Sequence, residues 1–107
     1  MSYNGVMDDE LKIKLVQETA RMPWRDLQGH FAAGATLFVS PDLDLLDVAC
    51  KLSRDDTKVL EPYIDKQLLG PVSDTSAMQW FEENREMWTL VIRPWVLVQP
   101  TDQIAEV

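Results

Sequence analysis

Residues 87–99, MWTLVIRPWVLVQ, are the segment that decides the fold of this chain. Successive side chains of a β-strand point to opposite faces, so Trp88, Leu90 and Ile92 share one face. Apolar residues also occupy the alternate positions, and we therefore predict a strand that is covered on both sides. Pro94 has no amide hydrogen, so it divides the segment into two pieces at a bulge or at an edge position.

Helical patterns precede this segment. Apolar residues at helical spacing predict a helix over about residues 10–22, ended by Pro23, and a short helix over 24–33, stopped by Gly34. The run 35–39 predicts a strand, and Ser40-Pro41-Asp42 is a typical start for a helix that continues to about residue 53. The remaining predicted elements are a helix over 57–69 with a kink or restart at Pro62, a short strand near Val72, and a helix over 73–85 that begins at Ser73-Asp74.

These elements predict an α+β fold in a single small domain covering residues 1–107. About five helical segments would pack on a small sheet of two or three strands. The length of 107 residues fits one domain. Residues 1–8 and 100–107 carry no clear pattern, and we expect them to be loose ends.

The composition excludes several classes of function. The chain has 10 basic and 18 acidic residues and a net charge of −8, which disfavours nucleic-acid binding and attachment to anionic membranes. Cys50 is the single cysteine and cannot close an intrachain disulfide. No apolar run approaches the roughly 20 residues of a membrane span, and the first ten residues lack a secretory pattern. We therefore expect a cytoplasmic protein.

Three blocks of the sequence together resemble a known family. They are residues 18–34 with Pro23-Trp24, residues 44–56 with Asp44-Leu45-Leu46-Asp47-Val48-Ala49, and residues 72–99, ending in Pro94-Trp95-Val96-Leu97-Val98-Gln99. Over about residues 11–99 the chain resembles a family of small bacterial proteins known as domain of unknown function 2288, and the last run is the most specific part. The resemblance implies a bacterial, cytoplasmic, single-domain protein, and it brings no catalytic residues to transfer.

Three side chains are candidates for acid–base or metal chemistry. His30 is the only histidine, and a histidine can serve as a general base or a metal ligand. Asp44 and Asp47 are three residues apart, hence on one helical face, and paired carboxylates suit Mg²⁺ or Ca²⁺. The alternative is structural: a surface histidine, and acids that offset the helix dipole. We favour this alternative, expect no cofactor, and expect Cys50 to be a core residue among apolar neighbours.

The tryptophans suggest a surface for interaction. Four of them, Trp24, Trp80, Trp88 and Trp95, are many for a chain of this size, and we expect most to lie in the core. Trp95 follows Arg93 and Pro94 at the break in the strand, so Arg93 and Trp95 are our candidates for an exposed interaction surface. The apolar C-terminal strand also offers an edge for pairing with a partner. The sequence thus predicts a non-catalytic protein-interaction module that forms a homodimer or binds another protein.

Two other functions stay open at this point. The helix over 42–53, the turn after it, the helix over 57–69 and a strand near Val72 imitate a helix-turn-helix with a wing, as in DNA-binding regulators. The second helix would carry as many acids as bases and contains Pro62. A carboxylate-metal enzyme that uses the aspartates with His30 is the other alternative.

Overall fold

The computed structural model describes the backbone of residues 2–105 and the side chains of residues 10–105. The elements in chain order are α1 (Ser2–Glu18), β1 (Ala20–Pro23), a 3₁₀ turn (Trp24–Leu27) leading into α2 (Gln28–Ala32), β2 (Thr36–Val39), α3 (Leu45–Ser53), a 3₁₀ turn (Thr57–Leu60) leading into α4 (Glu61–Asp65), β3 (Leu69–Pro71), α5 (Asp74–Glu83), β4 (Arg85–Ile92) and β5 (Trp95–Ile104). The predicted α+β class is confirmed. The described part of the chain contains five strands, so the expected two or three was wrong.

Residues 87–99 form a hairpin. Strands β4 and β5 are antiparallel, with Ile92 opposite Trp95, and Arg93 and Pro94 make the turn through a cis peptide bond. The predicted division at Pro94 is confirmed, but the predicted bulge or edge position was wrong. The chain reverses at this turn, where a residue without an amide hydrogen removes no bond from the sheet.

The sheet is mixed, with the strand order β1-β4-β5-β2-β3 and one parallel pair, β2 with β5. Strand β5 pairs with β4 on one side and, over residues 96–98, with β2 on the other. The expectation that this strand offers a free edge was therefore wrong for these residues. The edge strands are β1 and β3, and each is short and ends in a proline, Pro23 or Pro71, which limits further pairing.

Apolar side chains cover both faces of the sheet, as the alternating pattern predicted. Leu90 and Leu97 point into a first core layer beneath α1 and α3, with Leu15, Val48 and further residues of those helices. The alternate residues Met87, Val96 and Val98 point into a second core layer, beneath the first 3₁₀ turn and α5. In that layer Trp24 is fully buried, its Nε1 donates to the Ala77 carbonyl oxygen at 3.0 Å, and its ring meets Trp80 edge to face.

Two predicted helix boundaries were wrong. The helix expected to reach Met22 ends at Glu18, because residues 20–23 pair with β4 as an edge strand. The helix expected to start at Ser40-Pro41-Asp42 begins at Leu45. Its N-cap is Asp44, whose Oδ1 accepts the backbone N–H groups of Leu46 and Asp47 at 3.0 and 3.3 Å.

The C-terminal half follows the prediction more closely. The expected restart at Pro62 is confirmed, since the 3₁₀ turn gives way to α4 there, although the helix stops at Asp65 and Leu69 belongs to β3. Ser73 caps α5, with its Oγ accepting the N–H of Ser76 at 3.1 Å. The loose ends expected at 1–8 and 100–107 lie partly outside the described residues, namely at positions 1, 106 and 107. The backbone from Ser2 belongs to α1, and that of residues 100–104 belongs to β5.

Candidate interaction groove

Trp88 is the exposed tryptophan of the described chain. Its exposed fraction is 38%, whereas Trp24 and Trp80 are buried and Trp95 is partly buried against the first core layer. Trp95 is thus only partly exposed, while Arg93 is exposed in the hairpin turn, so the predicted interaction surface at Arg93 and Trp95 stays a prediction. Trp88 lies four residues along β4 from the pair that closes the hairpin, about 13 Å away.

Trp88 is the centre of a row across three strands. Arg21 of β1 is its partner on one side and Gln99 of β5 its partner on the other. Trp88 shares a face with Leu90, which α1 and α3 bury completely. Helix α1 ends at Glu18 and α3 begins at Leu45, so these helices leave the indole of Trp88 partly uncovered.

A groove surrounds this exposed ring. Its first part has a volume of about 400 Å³ and is lined by Val16, Thr19, Leu43, Asp44, Leu45, Leu46, Trp88 and Gln99. An adjoining hollow of about 340 Å³ shares Trp88 and Gln99 and adds Arg21, Pro41 and residues 100–103. We call the two parts together the Trp88 groove. Its first part is a mainly apolar furrow with Trp88 in the floor, and the adjoining hollow is mainly polar.

Arg21 stacks on the exposed tryptophan. Its guanidinium carbon lies 5.1 Å from the centre of the Trp88 ring, within cation–π range, and the same guanidinium forms an ion pair with Glu86. Stacking on one side and pairing on the other restrict the arginine. Arg21 thereby covers part of one face of the indole.

Gln99 builds the opposite wall. Its side chain is buried, and Nε2 donates to the carbonyl oxygens of Ser40 and Leu43 at 3.0 and 2.8 Å. These two bonds tie the segment before α3 to β5. Together with the N–H of Leu43, which donates to the Ser40 carbonyl oxygen, they help to position Leu43 and Asp44 beside the groove.

The acid–base and metal candidates do not come together. His30 is exposed at the end of α2, on the side of the second core layer, whereas Asp44 and Asp47 lie at α3 across the sheet. Asp44 caps α3, and Asp47 Oδ2 lies 2.5 Å from Lys51 Nζ, a bond that raises the pKa of Lys51 above its ordinary value. Among residues with described side chains, no three His, Cys, Asp or Glu could share a metal ion.

The structure also bears on the predictions for Cys50 and for a helix-turn-helix. Cys50 is buried in the first core layer as predicted, and burial raises the pKa of its thiol. The second helix of the predicted helix-turn-helix does not form. Residues 57–69 instead contain a 3₁₀ turn, a five-residue helix and the start of β3. Strand β3 pairs with β2 in the main sheet and does not form a wing.

A further hollow of about 460 Å³ lies beside β3, between α4 and α5. Two of its lining rings, Phe38 and Trp80, are stacked with centres 6.0 Å apart and contribute to the second core layer. These rings are engaged in holding α5 to the sheet. The Trp88 groove is therefore the stronger candidate, since its central ring is not needed for the core.

Sequence reasoning missed the exposure of Trp88 and the roles of Arg21 and Gln99. The alternation of residues 87–92 does place Trp88 beside Leu90, but it does not show where the covering helices stop. Gln99 left a signal, because a polar residue closes the apolar run 95–98. A glutamine at a buried strand position needs hydrogen-bond partners, and that need points to a loop packed against it.

Comparison with known proteins finds one matching family model and a similar solved structure. A family model described as protein of unknown function (DUF2288) matches residues 10–100. The NMR solution structure of PA1075 from Pseudomonas aeruginosa is 35% identical, with a TM-score of 0.76 over 92% of this chain and 91% of that one. No curated protein matches the chain. Within the described residues, none of the helices is both long enough and apolar enough to cross a membrane.

Proposed function

We propose that this chain, which belongs to the DUF2288 family of proteins of unknown function, is a non-catalytic module that binds another protein through the Trp88 groove. The observation that carries the proposal is an exposed tryptophan in the floor of an apolar furrow. Tryptophan is enriched among the residues that dominate binding energy at protein interfaces, where it fills a pocket of the partner or supports an anchor residue.

The surroundings of Trp88 support this function. An interface combines an apolar centre with a polar rim, and here Val16 and Leu46 border the ring while Arg21, Asp44 and Asp102 lie at the sides. The groove is open rather than enclosed, which suits a peptide segment better than a small enclosed substrate. Val16 is itself exposed and extends the apolar surface along α1.

A peptide selection tests the proposal without knowledge of the natural partner. A phage library of random 12-residue peptides is selected on the full chain and counter-selected on a Trp88→Ala variant. Peptides that survive are synthesised, and their affinities are measured by isothermal titration calorimetry. The matched control is Met78→Ala, which removes an exposed apolar side chain from α5 on the other face of the sheet.

We expect peptides that bind the wild-type chain and the Met78→Ala variant equally and bind the Trp88→Ala variant at least about tenfold more weakly. Circular dichroism and urea midpoints of the three proteins show that each is folded. A selection that yields no Trp88-dependent peptide contradicts the proposal.

A second copy of the chain is the competing occupant. Light scattering of the wild-type chain over a range of concentrations measures self-association. A dimer that disappears in the Trp88→Ala variant would assign the groove to a homodimer and would overturn binding to a different protein. A monomer at all concentrations supports the proposal.

A further inference from the structure

We propose that the segment bound in the Trp88 groove is basic, with an apolar anchor residue flanked by arginine or lysine. This inference rests on the proposed function and names the chemistry of the partner. The argument comes from the charges around the groove and from the contact that Trp88 already makes inside the chain.

The charges around the groove are mainly negative. Asp44 lines the first part, Asp102 lines the adjoining hollow, and Asp42 is exposed next to the lining residue Pro41. Among the residues that line the two parts, the cation is Arg21, and Glu86 pairs with it. The net charge of −8 adds a field that attracts cationic segments toward this chain.

The stack between Arg21 and Trp88 shows which chemistry the ring accepts. A guanidinium lies 5.1 Å from the ring centre, where the negative face of the indole attracts a positive charge. An arginine or lysine of a partner would make the same contact on the uncovered part of the ring, with the carboxylates of Asp44 and Asp102 on either side. The apolar anchor would lie along Leu43 and Leu46.

An acidic partner fits the groove less well. It would need Arg21 as its anchor, and this arginine would first have to leave the ion pair with Glu86. It would also bring its carboxylates close to Asp44 and Asp102. The two kinds of partner therefore predict opposite effects of removing Arg21.

The test uses peptides from the Trp88-dependent selection and four charge variants of the full chain. Asp44→Asn and Asp102→Asn each remove a carboxylate, and asparagine at position 44 still caps α3. Arg21→Gln removes the arginine, and Asp65→Asn, at an exposed site on α4, is the control. Affinities are measured at low salt and at 0.5 M NaCl, where charge attraction is screened to a range of roughly 4–5 Å.

We expect the selected peptides to be enriched in arginine and lysine next to an apolar residue. Their affinity should fall about two- to fivefold in Asp44→Asn and in Asp102→Asn, and it should fall with salt. It should rise about two- to fivefold in Arg21→Gln, because that change frees Glu86 and uncovers the ring. The Asp65→Asn control should bind like the wild-type chain.

Selected peptides that are acidic or neutral would overturn the inference, as would a loss of affinity in Arg21→Gln without a loss in Asp102→Asn. The proposed function would survive both results, because the peptides would still depend on Trp88. A selection without any Trp88-dependent peptide would overturn the proposed function and this inference together.

Discussion

The buried Gln99 stabilises the fold and positions residues that line the Trp88 groove, so its replacement should lower both the stability and the binding of the groove. The change is Gln99→Leu, which keeps a side chain of similar size at a buried position and removes the amide. The carbonyl oxygens of Ser40 and Leu43 then lose the amide that donates to them at 3.0 and 2.8 Å, and Ser40 keeps only the N–H of Leu43 as a donor. The segment that carries Leu43 and Asp44 loses the bonds that hold it against β5.

The expected cost follows from these two bonds. A buried hydrogen bond contributes about 1 kcal/mol net, so the loss of two lowers the free energy of unfolding by about 2 kcal/mol. A domain of this size has a total stability of roughly 5–15 kcal/mol, so the variant remains folded. With a urea slope of about 1–2 kcal/mol/M, the unfolding midpoint should fall by about 1–2 M.

Urea titration followed by circular dichroism and tryptophan fluorescence measures the shift. The control is Gln103→Leu on the same strand, where the glutamine is exposed and the expected change is within about 0.5 kcal/mol. Peptides that depend on Trp88 should also bind the Gln99→Leu variant more weakly, because Leu43 and Asp44 line the groove. Equal midpoints for the two leucine variants would refute the role assigned to Gln99.

Three further outcomes follow from individual contacts. Trp24→Phe keeps a ring in the second core layer, but it removes the donor to the Ala77 carbonyl and leaves part of the buried indole's volume empty. Urea titration should therefore show a loss of about 2 kcal/mol, and an unchanged midpoint would contradict that contact. Asp44→Ala should cost about 1 kcal/mol of stability in thermal unfolding and Asp44→Asn only a few tenths; equal losses would mean that the side chain does not cap α3. Iodoacetamide should modify Cys50 slowly at neutral pH, since burial raises the thiol pKa, and the rate should rise with the unfolded fraction in urea; rapid labelling of the native chain would contradict its burial.

The hairpin shows which part of the fold residues 87–99 could predict. Their alternation is local, and both the strand character and the two apolar faces were predicted correctly from it. The reversal of the chain at Arg93 and Pro94 was not predicted, because both a bulge and a turn can accommodate a residue that has no amide hydrogen. The choice between a bulge and a turn depends on whether residues 95–99 pair with residues 87–92 or continue away from them along the sheet. Here residues 95–99 pair with β4 and, over residues 96–98, with β2 as well, which only the folded chain reveals.

The two edge strands were harder to predict for a related reason: β1 was predicted as helix, and β3 was placed only approximately, as a short strand near Val72. Strands β1 and β3 have four and three residues, which is too short for a periodic pattern to stand out from its neighbours. Their extended shape comes from the strands beside them. Residues 20–22 continue the apolar spacing of a helix, yet they pair with β4, so long-range hydrogen bonding overrides the local preference.

That same pairing accounts for the candidate site. Because residues 20–23 join the sheet, α1 stops at Glu18, and Val16 and Thr19 at its end become a wall of the groove. The pairing also sets Arg21 directly beside Trp88, where it stacks on the ring. A chain that kept its helix to Met22, as the local spacing favours, would have neither the stack nor this boundary to the groove. The boundary of the groove at α1 and the stack on Trp88 both follow from this long-range pairing, and for that reason the residues around Trp88, taken in sequence order, did not reveal the site.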